Sequence, residues 1–164
     1  MKQLKEIIQE KLVLNKNSKV KYNYHPKDRN ELKELIKKLI RKRGKNADLN
    51  DIDTSKITDM SNLFSHSNFG GDISNFNGDI SNWDVSNVKN MECMFRNSKF
   101  NGDISNWDVS NVENMNWMFN SSNFNGDISK WDVSNIKDMD YMFNYSPLKD
   151  NPPKWYKESK WYEE

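Results

Sequence analysis

Cysteine occurs once, at Cys93, so the chain closes no internal disulfide and carries no multi-cysteine zinc site. Two histidines, His25 and His66, leave little room for acid–base or metal chemistry. Ala47 is the only alanine, beside an abundance of Asn, Lys and Ile that reads as the bias of an AT-rich genome. No run of about 18 apolar residues exists, so no segment reads as a membrane-spanning helix. Met1–Glu6 lack the apolar region and small-residue cleavage site of a signal peptide. The expected location is therefore cytoplasmic, with the cell surface by an unrecognised export route as the alternative.

Apolar residues are also scarce. Leu, Ile, Val and Phe together number 35 of 164, and the mean hydropathy is −1.02, lean for a globular core. Yet 12% of the chain is aromatic, with 6 Trp, which disordered chains seldom carry. A repeat that stacks one thin core row on another fits both facts.

The near-neutral total of +1 hides an asymmetry. Residues 1–50 hold 15 Lys/Arg against 6 Asp/Glu, and residues 51–164 hold 10 against 18. Such a split implies either mutual attraction of the two parts or two different partners. In the first part, Leu4, Ile7, Ile8 and Leu12 recur at helical spacing, and Val20, Tyr22 and Tyr24 alternate as in a half-buried strand. A second helix is marked by Asp28 as N-cap, Glu31 as its capping partner and Gly44 at the C-cap. Leu32, Leu35, Ile36, Leu39 and Ile40 give it an apolar stripe. Its end carries Lys37, Lys38, Arg41, Lys42, Arg43 and Lys45. Cations there favour the negative end of the helix dipole; the alternative is an anion-binding site for nucleic acid or lipid headgroups.

The second part repeats itself. Phe76, Phe100 and Phe124 each open a 24-residue unit of the form FNGDISxWDVSNxxxMxxMFxxSx. A diverged unit precedes them, Ile52 to Asn75, whose offset to the next is one period plus seven because the turn segment occurs twice, at Phe69 and at Phe76. One of those two copies is expected to loop out, or the first joint to widen. A period of this length means stacked units that bury a continuous core only together. Within a unit, Trp83 and Val85 point inward and Asp84 outward, as on a short strand. Val88, Met91, Met94 and Phe95 follow at helical spacing, and Phe76-Asn77-Gly78-Asp79 supplies the turn.

The segment Val85-Ser86-Asn87-Val88-Lys89-Asn90-Met91-Glu92-Cys93-Met94-Phe95-Arg96-Asn97-Ser98-Lys99-Phe100 resembles the repeat of BspA-like leucine-rich repeat proteins, in their mycoplasma and low-GC bacterial surface-protein branch. Met94-Phe95 falls where better-known repeats place Ala-Phe, Ser98 where they often place Cys, and Phe100 where they place Leu. The resemblance covers residues 52–147. It implies an α/β solenoid, a short leucine-rich-repeat array with a parallel sheet on one face, used for protein contacts such as adhesion. Residues 1–164 show no secretion signal, lipid-attachment cysteine or wall anchor of that branch, so the expectation of surface display does not follow from the resemblance. The expected organisation is a basic helix-strand-helix N-terminal cap over 1–50 and repeats over 51–147, with units near 52–75, 76–99, 100–123 and 124–147. A C-terminal cap over 148–164 completes it, in which Trp155, Tyr156, Trp161 and Tyr162 fold over the last unit or face a partner.

The outward column Asp84, Asp108 and Asp132, flanked by Asn82, Asn106 and Lys130, is the expected partner-binding face. Like charges so stacked suit a basic protein surface or cations, unless neighbouring Ser and Asn satisfy them locally. A second ladder, Asp79, Asp103 and Asp127, is too sparse for the calcium-binding β-helix motif. No P-loop, nucleophile elbow, zincin or EF-hand pattern appears, and Cys93 has no histidine beside it. The sequence therefore points to a non-enzymatic protein-interaction module that binds through the acidic strand face or the ends of the solenoid, favoured as a monomer, without cofactor or metal, whose partner has a basic surface. The alternative is an intracellular phage- or mobile-element-encoded inhibitor of a bacterial defence nuclease complex. A third reading is nucleic-acid binding by the basic helix.

Overall fold

The computed structural model describes residues 22–66 and 73–157. Among the described residues one α-helix, α1, spans Arg29–Arg43. Asp28 caps it, accepting from the amides of Asn30 and Glu31, while Glu31 reaches back to the amide of Lys27, one residue before the cap. Gly44 ends it at φ 90°, where a side chain would be strained. Leu32, Ile36, Leu39 and Ile40 face the core. The expected helix at Leu4–Leu12 and Val20 lie outside the described residues, and Tyr24 makes an isolated parallel bridge to Ile52.

The repeats stack as layers of turns, and this corrects the expected fold class. Among the described residues there is no sheet, only isolated parallel bridges such as Asn90↔Asn114 and Asn114↔Asp138. The leucine-rich-repeat solenoid with a parallel sheet is therefore not the architecture. The reason lies in how often the backbone turns on itself. Trp83 donates to Ile80 O and Val88 to Val85 O, which leaves Trp83-Asp84-Val85 too short to pair as a strand. Their in–out alternation is real, with Trp83 and Val85 buried and Asp84 exposed, but it is the alternation of a three-residue link. The expected helical turns at Val88–Phe95 are likewise replaced. Met94 donates to Met91 O, Arg96 to Cys93 O and Ser98 to Phe95 O, with Cys93 and Asn97 at φ 55° and 54°. Positive φ every fourth residue stops a helix from propagating.

Layers are joined by a ladder that skips alternate residues. The amides of Met91, Cys93, Phe95 and Asn97 donate to the carbonyls of Asn114, Asn116, Met118 and Asn120, and the next pair of layers repeats the pattern. Between the layers run two stacked aromatic columns. Phe64, Phe95, Phe119 and Phe143 lie 5.4, 5.5 and 6.0 Å apart at interplanar angles of 3–5°. Phe76, Phe100 and Phe124 stack at 6.1 and 6.3 Å, and each rests 4.3–4.9 Å from its neighbour in the first column. All seven rings are fully buried. Four indole N–H groups bond back to a carbonyl in the layer before: Trp83 to Leu49, Trp107 to Ile80, Trp131 to Ile104 and Trp155 to Ile128. A buried indole thus meets its hydrogen-bonding need while its ring fills the core.

Of the duplicated turn, the copy at Phe76 enters the column; the copy at Phe69 lies outside the described residues. Residues 45–49 pair with this first turn, Asn77 donating to Lys45 O, Asp79 to Ala47 O and Leu49 to Asp79 O. At that end α1 covers the stack, and Arg29 and Lys33 donate to the carbonyls of Ser61 and Asn62. At the other end Trp155 and Tyr156 pack on Phe143, at 6.2 and 4.8 Å. Trp161 and Tyr162 lie outside the described residues.

Candidate interaction surface

The turn chemistry of FNGDIS and WDVSN decides what the acidic columns do. Asp84 and Asp108 each accept, through Oδ1, the amide and the hydroxyl of the serine two residues on, with hydroxyl contacts of 2.6 Å. Asp132 accepts the Ser134 amide. Asp79, Asp103 and Asp127 do the same with Ser81, Ser105 and Ser129. These hydrogen bonds to the charged form hold Asp79, Asp103, Asp127 and Asp132 below the usual carboxylate range. The column Asp84, Asp108 and Asp132 is brought into register and exposed, yet each carboxylate closes its own turn.

The flanking groups divide similarly. Asn82, Asn106 and Lys130 are exposed, and the Asn82 amide donates to Asn50 Oδ1. Asn87, Asn111 and Asn135 each donate a side-chain amide to the carbonyl of Ser55, Ser86 or Ser110 in the preceding layer. Asn77 and Asn101 accept the backbone amides of Asn101 and Asn125. The identical turns of the repeat are thus built from hydrogen bonds within and between layers.

The basic cluster of α1 is partly committed. Lys37 pairs with Glu34 at 2.7 Å. Arg43 grips both carboxylate oxygens of Asp51 at 2.8 and 2.9 Å and lies 5.7 Å from the Tyr24 ring. The guanidinium holds Asp51 down to about 2, a bidentate pair that ties α1 to the first layer. Lys38, Arg41, Lys42 and Lys45 remain exposed.

The third face lay outside the residues singled out by the sequence. Trp117 and Tyr141 stack at 4.4 Å, and Arg96 sits over Trp117 at 5.0 Å, filling the place that Cys93 leaves in that column. One turn on, Tyr145 is 86% exposed. Cys93, Trp117, Tyr141 and Tyr145 all occupy positive φ, 55–60°. For residues with a Cβ that conformation costs about 1–2 kcal/mol each. Beside them Asn120 Nδ2 and Asn144 Oδ1 are buried without a hydrogen-bond partner among the described residues. The signal that finds this face in the sequence is variation between near-identical units: C, W and Y at one position, N, S and Y at another.

At the far end of the stack, Gly126, Asp127, Ile128, Pro152, Pro153 and Trp155 line an open groove of ≈ 760 Å³. Burial beside Glu92 pushes the Cys93 thiol up, so it is a weak nucleophile. Among the described residues no group of His, Cys, Asp or Glu is placed to hold a metal ion, and no helix is long and apolar enough to cross a membrane.

A family described as "Mycoplasma protein of unknown function, DUF285" matches residues 31–155, from the first turn of α1 to the last indole of the Trp column. The chain belongs to this family. Its matched span contains α1 from Glu31 onward, the repeats and all three faces described above. No curated protein and no solved structure matches the chain. The BspA-like resemblance thus resolves into a mycoplasma family, without the leucine-rich-repeat architecture it implied.

Proposed function

We propose that the protein is a non-enzymatic protein-interaction module. The observation that carries this reading is the presentation of side chains in register. The three full repeats form their interlayer hydrogen bonds at the same offset, and the joint to the diverged first unit is longer by seven residues, so that equivalent outward residues of the full repeats form columns on a continuous support. A fixed array of side chains loses little conformational freedom on binding, the condition for a tight protein contact. The adhesion-like use implied by the BspA-like resemblance and the intracellular inhibitor reading both require such a surface, and they differ in where the partner is found. The exposed cations of α1, Lys38, Arg41, Lys42 and Lys45, support nucleic-acid binding less well, because Lys37 and Arg43 are already paired.

The test is affinity purification of the tagged protein from its source cells, split into surface, cytosolic and secreted fractions. One stoichiometric protein partner in one fraction is the expected result. Recovery of the chain without a partner in every fraction would overturn the reading. A cytosolic complex would favour inhibition, and a surface complex adhesion.

A further inference from the structure

The three full repeats differ from one another most on one face. Inside, Met91, Met115 and Met139 recur at one position and Phe95, Phe119 and Phe143 at another. On the FNGDIS and WDVSN turns even the exposed residues are nearly all identical, because their side chains close the turns. Divergence concentrates on the outward positions of 92–97, 116–121 and 140–145 and the residues beside them. There the backbone asks for Gly or Asn at positive φ and receives Cys93, Trp117, Tyr141 and Tyr145 instead. Turn chemistry accounts for the identical face and does not account for this one.

Resting on the interaction reading above, we infer that this divergent face, centred on Arg96, Trp117, Tyr141 and Tyr145, is the contact surface, and that its partner is a folded protein bound through an uncharged, hydrogen-bonding patch. Three observations fix the partner's chemistry. Across the outward positions of the three segments the only charged side chains are Arg96, Glu92 and Asp140, too few cations for a phosphate backbone and too balanced for a strongly basic surface. The remaining side chains are chiefly Asn, Tyr, Trp and Ser, the mixture of rigid aromatic anchors and adaptable polar groups that antibody paratopes use against flat protein epitopes. The aromatic rings are already ordered, Trp117 held between Arg96 and Tyr141, so binding need not immobilise them. Tyr145, 86% exposed, stands at the edge of the patch where it would be covered on binding.

The test uses the full chain with the photocrosslinker p-benzoylphenylalanine replacing Tyr145 or, in a second protein, Asp108. Each is produced in the source cells, which are opened into buffer of about 50 or about 500 mM salt and irradiated, since that range separates screened from unscreened charge contacts. The expected result is one discrete protein adduct from position 145, equal at both salt concentrations and absent from position 108. Its yield should fall about tenfold when Trp117→Asn, which keeps a residue that tolerates positive φ, removes one hot-spot ring. An adduct from position 108 but not from 145 would overturn the assigned face and leave the interaction reading standing. A salt-sensitive or nuclease-sensitive adduct, or a crosslinked dimer of the chain, would overturn the partner's chemistry. No adduct from either position would overturn this inference and the interaction reading together.

Discussion

In each layer, Asp108 and its neighbours on one side and Trp117 and its neighbours on the other have opposite relations to the fold. Around Asp108, the three full repeats carry the same WDVSN turn, in which Ser110 bonds to Asp108 of its own turn and Asn111 to the preceding layer. Around Trp117, the residues change from layer to layer, and the backbone tolerates them at positive φ. The comparison teaches that uniformity between stacked units marks structural necessity. Where the units differ, the fold does not fix the side chain. An invariant column of carboxylates is, on that view, the less informative place to look for a partner.

The comparison can be pressed from its strongest consequence downward. Phe119 stacks with four buried rings across the middle of the chain. Phe119→Ala should lower the unfolding free energy by about 3–5 kcal/mol, read from urea denaturation, because the cavity cannot collapse within a stacked column. Gly78→Ala comes next. A Cβ there would lie 2.0 Å from the Ala47 carbonyl oxygen and 2.6 Å from the Phe76 ring, so a loss of about 1–3 kcal/mol is expected in the same assay.

Third is the clip between α1 and the first layer. Asp51, held at about 2 by Arg43, contributes stability while it is ionised. Its folded pKa is depressed, so that contribution is present above the unfolded value of about 3.9 and is lost as pH falls through about 2. Arg43→Met should therefore cost about 1 kcal/mol at neutral pH, after allowance for partial exposure of the pair, and the gap from the wild type should close in acid. The turn carboxylates of Asp79, Asp103, Asp127 and Asp132 shift in the same direction, so the whole stack should weaken below about pH 4. The smallest effect lies on the divergent face. Tyr145→Gly relieves a positive-φ strain of about 1–2 kcal/mol and gains about 0.4–1 kcal/mol of unfolded-state entropy, so stability should rise by roughly 0.5 kcal/mol. A clear loss would mean that Tyr145 belongs to the fold.

Much of this was legible in the sequence. The period of 24, the inward Trp83, Val85 and Phe95, and the caps Asp28 and Gly44 of α1 all follow from spacing. The parallel sheet did not follow, because period-two alternation reports which way side chains point. It says nothing of how long the backbone stays extended, and the turns on both sides of Trp83-Asp84-Val85 cut that link short. The helical spacing of Val88, Met91, Met94 and Phe95 misled for a related reason: two successive turns place residues three and four apart on one side just as a helix does. At the surface, Asp84, Asp108 and Asp132 stood out by their repetition, whereas Trp117 and Tyr145 were overlooked because each occurs in only one layer.

The most direct measurement compares urea midpoints of two triple variants. One removes the invariant carboxylates, with Asp84→Ala, Asp108→Ala and Asp132→Ala. The other makes Arg96→Asn, Asn116→Asp and Tyr145→Ser, each residue replaced by one that another layer carries at the same position. If the invariant face holds the stack and the divergent face does not, the first variant unfolds at clearly lower urea and the second stays at the wild-type midpoint. A wild-type midpoint for the first variant with a collapse of the second would contradict the account.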